Sequence, residues 1–288
     1  MGKHSSVNES GWDIVISPHR GLLDIDFRGI WQYRDLWRMY VKRDIITVYK
    51  QTILGPLWFI ISPVFTTIMY MFVFSTLAGI STDGIPAALF YMSGNLLWLY
   101  FTACFTCGQN TFTGNAGVFS KVYFPRLVAP LAGITSALIK SCFQSVMLVV
   151  LYLWYFFVER GIHLTVEFWL APVLFMLLAF TGLGCGLIVS SLTVKYRDLN
   201  NLVLFGLQLW MYATPVIYPI SVTGDRALVQ FLQFNPLQGI FTDFRYMLTG
   251  MGTMDWGGLL YSALFAFGIL FIGIIFFNRQ ERTFMDTI

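Results

Sequence analysis

The stretch RDLWRMYVKRDIITVYKQTILGP, residues 34–56, runs directly into LWFIISPVFTTIMYMFVFSTL, residues 57–77. The first half is basic and amphipathic, because Trp37, Val41 and Ile45 recur at helical spacing and most of the cations lie off that line. The second half carries no charged residue, and about 20 such residues are enough to cross a hydrocarbon core of ~30 Å. The stretch therefore predicts a surface helix that leads into a membrane-spanning helix.

The overall composition agrees with a membrane location. Of the 288 residues, 57% are hydrophobic and 11% are charged, whereas about 25% charge is usual in soluble domains. The formal net charge of +3 is mild, so the basic residues do not predict a nucleic-acid partner. The first 30 residues contain no apolar core of the length that a secretory signal needs. The first span is therefore expected to act as its own insertion signal.

The remaining apolar runs predict an all-α integral membrane protein with six transmembrane helices. Polar or Gly/Pro-containing segments separate the runs. Two amphipathic pieces between the last two spans are too short to cross the bilayer and suit an interfacial or re-entrant position. The predicted spans are 57–79, 87–110, 127–158, 169–193, 200–218 and 257–277, and the short pieces are 227–234 and 237–248.

The distribution of Lys and Arg predicts the orientation of these spans. Fourteen of the 18 lie in segments that are cytoplasmic if the N-terminus is inside, and three lie on the other side. Lys140, in the third helix, is expected to reach the headgroups, with an intramembrane functional charge as the alternative. The chain then divides into a cytoplasmic N-terminal segment (1–30), an amphipathic interface helix (31–56), a transmembrane domain (57–277) and a cytoplasmic tail (278–288).

No catalytic or nucleotide-binding pattern accompanies the spans. The phosphate-binding motif GxxxxGK[ST] is absent, and the predicted spans hold no Asp or Glu that could couple transport to an ion. The three His residues do not pair with acids at metal-site spacing. Cys104 and Cys107 form a CxxC inside a predicted span, where two small residues on one helix face are the simpler interpretation. We therefore predict that the chain is not an enzyme, that it binds no cofactor or metal, and that any energy comes from a partner.

Aromatic rings are concentrated in the first, second and fifth predicted spans. Rings stack on the C–H faces of sugars through weakly directional contacts that tolerate sliding, although rings in spans also face lipid or form interfacial belts. Gln208 and Tyr212, one helical turn apart and before Pro215, are the best candidate pore stripe. The candidate channel-lining residues are Trp58, Phe59, Tyr70, Tyr91, Trp98, Gln208 and Tyr212.

Two cytoplasmic segments are candidates for contact with another protein. The surface helix could be held by anionic lipid, could meet a cytosolic partner with its exposed side, or could do both. The loop over residues 119–126 combines aromatic, basic and Pro residues, and this composition suits a protrusion that docks in the groove of another protein.

Several short motifs occur in the order in which a known family contains them. They are YKQ (49–51), LGPLW (54–58) with Pro63, KVYFPR (121–126), YRD (196–198), TPVIYP (214–219) and NP (235–236). Over about residues 31–280 the chain resembles the permease subunits of type-2 ABC exporters. The resemblance is to the branch that exports lipid-linked polysaccharides such as O-antigen, capsule or teichoic acid.

The resemblance implies a half-transporter in the bacterial cytoplasmic (inner) membrane, with both termini in the cytoplasm. Two copies would pair as a homodimer that encloses a channel, and two copies of an ABC ATPase subunit would supply ATP hydrolysis with Mg. A lipid-linked glycan would enter from the cytoplasmic leaflet. The ATPase-coupling residues that the resemblance implies, on the surface helix and the loop after the second span, are Arg38, Lys42, Arg43, Phe119, Lys121, Tyr123, Phe124 and Arg126.

Two alternatives stay open at this point. A type-2 permease for a drug or a small lipid would keep the fold and change the cargo. A membrane-embedded transferase acting on lipid-linked sugars would need catalytic acids or His facing one leaflet. Glu159, His163 and Glu167 form the one such cluster in the sequence, and they fall on the outer side of the predicted topology.

Overall fold

The computed structural model of the chain describes residues 27–50, 55–119, 124–158, 161–194, 198–222 and 226–285. These residues are predominantly helical and contain no β-strand, so the prediction of an all-α protein is confirmed for the part of the chain described. The helices are α1 (Phe27–Gln32), α2 (Arg34–Lys50), α3 (Trp58–Leu77), α4 (Ala87–Gln109), α5 (Thr111–Phe119), α6 (Val128–Val158), α7 (Ala171–Thr193), α8 (Leu199–Tyr212), α9 (Arg226–Gln233), α10 (Gln238–Thr249) and α11 (Trp256–Met285).

Five helical segments among these residues are long and apolar enough to cross a membrane, which makes the chain a multi-pass membrane protein. They correspond to α3, α4, α6, α7 with the preceding turn, and α11. The predicted fifth span, 200–218, is not one of them, because α8 ends at Tyr212. Its 14 residues extend only about 21 Å, which is less than the ~30 Å of the hydrocarbon core. A count of six transmembrane helices is therefore not confirmed by helix length.

Helix α4 is the centre of the bundle and packs against α7, α6 and α3. Most of its residues are buried. Glycines on α7 allow the two helices to approach closely: a Cβ added at Gly182 would lie 2.9 Å from the backbone oxygen of Phe101, and one at Gly186 would lie 2.9 Å from the backbone nitrogen of Gln109. Small residues at such contacts let helix backbones touch.

Helix α11 packs against the opposite side of α7 in the same way. A Cβ at Gly184 would lie 2.7 Å from the backbone of Ile269, and a Cβ at Gly273 would lie 2.6 Å from the backbone oxygen of Gly184. The three helices α4, α7 and α11 thus form a layer in which backbones are in contact.

Helix α3 lies at the edge of the bundle, against α4 and α6. Its first part, Trp58–Tyr70, is α-helical and includes Pro63, whereas Met71–Leu77 form a π-helix. The backbone nitrogen of Ala78 accordingly donates to the oxygen of Val73, five residues earlier, at 3.0 Å.

The segment that contains α8 runs alongside α4 from one end to the other. Near the C-terminal end of α4, the side-chain amide of Gln109 donates a hydrogen bond to Asn200. In the middle of α4, the rings of Phe101 and Trp210 lie 5.2 Å apart. Beyond α8, the Ser221 hydroxyl lies 2.6 Å from a carboxylate oxygen of Asp83, in the loop that precedes α4.

Candidate coupling surface and channel face

Helix α2 is attached to the N-terminal part of α6. The indole nitrogen of Trp37 donates to the hydroxyl of Thr135 at 3.1 Å, and the hydroxyl of Ser136 lies 3.5 Å from a carboxylate oxygen of Asp44. Tyr40 is buried on the same side, and burial raises the pKa of its phenol, partly offset by the nearby Arg43. These contacts leave the opposite side of α2 open to a partner.

The three cations predicted for coupling lie on that open part of α2. Arg38, Lys42 and Arg43 are exposed. Arg38 lies 3.4 Å from Asp35, and Arg43 lies 2.8 Å from Asp44. Exposed ion pairs of this kind contribute little to stability. The three side chains are thus placed for a surface role, and that they contact an ATPase stays a prediction.

The described ends of the 119–126 loop are buried inside the chain. The rings of Phe119 and Phe124 lie 5.5 Å apart, and the Phe124 ring lies 6.3 Å from that of Tyr40. Arg126 is only 5% exposed. Its guanidinium donates to the backbone oxygen of Glu281 at 3.1 Å and lies 3.6 Å from the carboxylate of the same residue.

The burial of Phe119, Phe124 and Arg126 does not fit the prediction that this loop protrudes to dock in another protein. They connect α5, α2 and α11, and their side chains are not presented on the surface of the chain. Lys121 and Tyr123, the other two predicted residues of this loop, lie outside the described residues.

Three of the predicted channel residues lie where α3 and α8 meet, and a fourth, Trp58, is at the start of α3. Trp58, Gln208 and Tyr212 are exposed, and Tyr70 is half-buried. The two helices meet where the hydroxyl of Tyr70 lies 3.9 Å from the sulfur of Met211. We call this surface the α3–α8 face.

The other three predicted rings lie elsewhere: two are buried inside the chain, and one is half-buried between α3 and α6. Tyr91 has no exposed surface and packs 6.2 Å from the Tyr70 ring, and Trp98 is buried 5.3 Å from Phe101. Both lie inside the chain, because α4 is enclosed by other helices. Phe59 is half-buried at the junction of α3 with α6, where the Lys140 nitrogen lies 5.9 Å from its ring centre.

The sequence prediction missed Arg245, a buried arginine on α10. Its guanidinium donates to the backbone oxygens of Pro215 at 2.5 Å, Val216 at 2.9 Å and Phe90 at 3.3 Å, and lies 3.6 Å above the Phe90 ring. Burial lowers the pKa of Arg245 to about 9, so the group remains charged at neutral pH. The arginine thus supplies donors to two carbonyls of the turn after α8 and to one of α4.

Two motifs that are far apart in the sequence meet at this point. The side-chain amide nitrogen of Asn235 donates to the backbone oxygen of Ala213 and to the hydroxyl of Thr214, both at 2.8 Å. The Asn235 oxygen accepts from the Trp210 indole and from the backbone nitrogen of Leu237, both at 3.1 Å. Asn235 and Arg245 together fix the turn 213–217 against α4. The signal in the sequence for this arrangement was Arg245, a charged residue within the short amphipathic piece 237–248.

The described residues were compared with the arrangement that a metal site needs. No group of three or more His, Cys, Asp or Glu side chains is arranged to hold a metal ion within the described ranges. Of the cluster considered for a transferase, Glu159 lies outside these ranges. His163 lies beside Gly250, because its backbone nitrogen donates to the oxygen of Thr249 at 3.4 Å.

The architecture and the exposed faces are those of a membrane subunit, and comparison with known families identifies its class. The model of the ABC-2 type transporter family matches residues 35–249. The chain belongs to this family, whose membrane subunits transport a substrate in association with an ABC ATPase and are not themselves enzymes.

Comparison with individual proteins gives a more specific similarity than the family does. The chain is 27% identical over 263 residues to the O-antigen export system permease protein RfbA of Myxococcus xanthus, covering 91% of this chain and 98% of that protein. Two proteins of the same name from Klebsiella pneumoniae are 24% and 25% identical to it, each over 88% of this chain and 94% of their own length.

Proposed function

We propose that this chain is the permease half of an exporter that moves a lipid-linked polysaccharide of the O-antigen type out of the cytoplasmic leaflet. The observation that carries the proposal is similarity over nearly the whole chain to three proteins named as O-antigen export permeases. The sequence contains no phosphate-binding motif of its own. ATP and Mg are therefore used by the partner ATPase, and this chain binds no cofactor.

The chain crosses the membrane six times in this proposal, with α8 and the turn after it as the fifth crossing. Asn200 lies at the C-terminal end of α4 and Ser221 lies at the loop before its N-terminal end. The 23 residues of α4 extend about 34 Å, so the segment 200–221 covers the same depth. The turn 213–217 is not helical, and irregular backbone is tolerated at membrane depth where protein groups satisfy it. Arg245 and Asn235 do so here.

Six crossings place both termini on the same side. The excess of Lys and Arg in the N-terminal region and in alternate loops supports a cytoplasmic location for both. A chain with this orientation and a bacterial O-antigen cargo belongs in the inner membrane.

Two copies of the chain pair through the α3–α8 face and enclose the channel. Gln208 is exposed on this face among apolar neighbours, and a polar side chain at membrane depth usually faces a cavity or another protein rather than lipid. Tyr70 and Tyr212 lie on this face and offer rings along which a glycan can slide, and Trp58 adds an exposed ring at the start of α3.

The partner ATPase docks on the exposed side of α2. Arg38, Lys42 and Arg43 provide positive charge there, and Phe119 and Phe124, the described ends of the loop, are buried against α2. Movement of α2 would reach the membrane helices through its contacts with α6.

The test is purification from native membranes through a tag on this chain, without extra ATPase, followed by identification of co-purifying proteins. We expect a stoichiometric ABC ATPase and, in a strain that lacks the permease, lipid-linked glycan retained on the cytoplasmic side. The triple variant R38E/K42E/R43E should lose the ATPase, whereas R279E, the same charge change at an exposed position of α11, should keep it. Recovery of the chain alone from native membranes, with normal surface glycan in the deletion strain, would contradict the proposal.

A further inference from the structure

Lys140 is the one charged residue of α6, a helix that is apolar enough to span the membrane. About 20 residues are enough to cross the hydrocarbon core, whereas α6 contains 31. Lys140 lies about 18 Å from the start of the helix, so it falls near the boundary of the core when the C-terminal part of α6 makes the crossing. A charged group at this depth is costly and usually has a functional partner.

The side chain of Lys140 belongs to the contact between α6 and α3. It is half-buried, and its amino nitrogen lies 5.9 Å from the centre of the Phe59 ring on α3. This distance is within the range of a cation–π interaction. The Phe59 ring also stacks on Phe143 of α6, with 6.4 Å between the ring centres. A change at Lys140 would therefore be felt by the first span of the chain.

Asp44 of α2 faces the same part of α6. Its side chain is 27% exposed, and one of its carboxylate oxygens lies 3.5 Å from the Ser136 hydroxyl. Ser136 precedes Lys140 by four residues, so the two lie on one face of α6, about 6 Å apart along the axis. Side chains of a helix lean toward its N-terminus, which brings Lys140 toward Ser136. The charges of Asp44 and Lys140 also both lie near the thiol of Cys107 on α4.

In this structure Asp44 is paired with Arg43 and not with Lys140. Two guanidinium nitrogens of Arg43 lie 3.0 and 2.8 Å from one oxygen of the Asp44 carboxylate. The other oxygen is the one that faces Ser136. Over the part of the chain that the structure describes, no carboxylate lies within 4.0 Å of the Lys140 nitrogen. Asp44 thus stands between an exposed arginine and a lysine at the membrane boundary that has no such partner.

We propose that Asp44 changes its partner from Arg43 to Lys140 when the ATPase binds Arg43. The inference rests on the proposed docking of the ATPase on α2. An acidic group of the ATPase that takes up Arg43 leaves Lys140 as the cation available to Asp44 on α6, and α2 is drawn toward the membrane helices. Because Lys140 also contacts Phe59, the movement reaches α3 and the α3–α8 face. Lys140 is a positioning residue that couples docking to the channel.

The direct test is chemical cross-linking of the wild-type pair. A carbodiimide joins a carboxylate to an amine without a spacer, and it does so only where the two groups touch. The permease produced without the ATPase should yield little of the Asp44–Lys140 amide. The complex with the ATPase should yield at least about fivefold more, as counted by mass spectrometry of the linked peptides. K140R cannot form this amide and controls for the assignment. Equal yields with and without the ATPase would overturn the exchange of partners.

A functional test separates docking from export. K140M should keep the ATPase in co-purification but lower surface glycan about fivefold or more, the size of a typical coupling between two sites. K140R keeps the charge and should restore export. The unfolding temperature of K140M alone should stay that of the wild type, because the free chain contains no Asp44–Lys140 pair to lose. If K140M does not reach the membrane, K140Q provides a polar side chain without the charge.

A cycle of variants tests whether the two residues act as one pair. D44N should lower export as K140M does, and D44N/K140M should lower it no further, since the effects of two members of one pair do not add. D35N is the matched control. It removes a carboxylate of α2 that pairs with an exposed arginine in the same way, and it should export normally.

Three further results would overturn the proposal. K140M could lose the ATPase, which would place Lys140 in docking itself. The effects of D44N and K140M could multiply in the double variant, which would make the two residues independent. D35N could lower export as much as D44N, which would indicate a general effect of charge on α2. In all three cases the wild type still retains the ATPase and exports glycan. Failure of the wild type in those two measurements would instead contradict the proposed function.

Discussion

Helices α3 and α4 are both apolar spans, yet they have opposite environments. In α4, 83% of the most apolar stretch is buried inside the chain, compared with 11% in α3. Hydropathy reports that a helix belongs in the membrane, but it does not report whether the neighbours of that helix are protein or lipid. The difference separates a tightly packed centre, made of α4 and α7, from the open α3–α8 face.

Two kinds of residue explain the difference. The centre contains glycines that bring backbones together, such as Gly186 against α4 and Gly184 against α11. The open helices instead carry large exposed side chains, for example Phe65 and Phe72 on α3 and Phe205 on α8. Large rings keep neighbouring backbones apart, so this surface suits a second chain or a sliding cargo.

The largest expected effect comes from truncating a ring in each region. Tyr91→Ala should destabilise the protein by about 3–5 kcal/mol, because it empties a fully buried position. Tyr212→Ala, at a position 61% exposed, should change stability by less than about 0.5 kcal/mol and should slow export. Thermal unfolding in detergent and surface glycan measure the two effects. Normal export by a folded Tyr212→Ala protein would place this ring against lipid.

The second prediction concerns Arg245, which connects the turn after α8 to α4. Arg245→Met removes donors from three buried carbonyls and should destabilise by about 3 kcal/mol. Arg245→Lys keeps the charge but cannot reproduce the planar arrangement of donors, so its unfolding temperature should lie between those of wild type and Arg245→Met. Arg38→Met, at an exposed arginine, is the matched control and should leave the unfolding temperature unchanged. Equal unfolding temperatures for Arg245→Met and the control would refute the role of the arginine.

The third prediction compares two glycines within helices. Gly186→Ala should destabilise by about 1–3 kcal/mol, because its Cβ would collide with the backbone of α4. Gly206→Ala, on α8, has no atom within 4 Å of the new Cβ and should stabilise by up to about 1 kcal/mol through helix propensity. Both are read from thermal unfolding. A loss of stability in Gly186→Ala together with a gain in Gly206→Ala would support the division into a packed centre and an open face. Stability changes of the same sign in both variants would contradict it.

The smallest expected effect is a pH dependence on α10. Burial raises the pKa of Asp243 from its ordinary 3.8 to about 6, and the nearby Asp255 carboxylate adds to this, while the hydrogen bond from the Asp255 backbone opposes it. The folded state therefore holds the proton more tightly than the unfolded state, and stability falls as pH rises through about 6.

Between pH 5 and pH 7.5 this loss amounts to about 1 kcal/mol. Asp243→Asn, which cannot ionise, should be less sensitive to pH than the wild type over this range, as measured by unfolding temperature in buffered detergent. An identical pH dependence in both proteins would show that Asp243 is not responsible.

The positions of the helices could be predicted closely from the sequence. The predicted second span, 87–110, corresponds to α4 (Ala87–Gln109), and the short pieces 227–234 and 237–248 correspond to α9 and α10 within one residue at each end. Long apolar runs bounded by polar or Gly/Pro residues allow this, because the bilayer imposes both a length and a composition. The end of α8 could not be predicted in this way, since the apolar run continues beyond Tyr212 while the helix does not.

Whether an individual side chain is buried or exposed could be predicted only in part from the sequence. Tyr91 and Tyr212 are the same residue type in apolar segments, and nothing in their local sequence separates the buried ring from the exposed one. Their environments depend on which helices pack together, which is a property of the whole fold. The same holds for Arg126, whose burial depends on Glu281 at the far end of the chain.

The C-terminal part of α3 is π-helical and therefore differs in geometry from the α-helical N-terminal part. In residues 71–77 the hydrogen bonds run from residue i+5 to residue i, as in the rare π-helix. The conversion of one π turn to an α turn releases one residue and rotates everything beyond it by about 100°. Helix α3 can therefore change the facing of its C-terminal end while its N-terminal half, which carries Trp58 and Pro63, keeps its register.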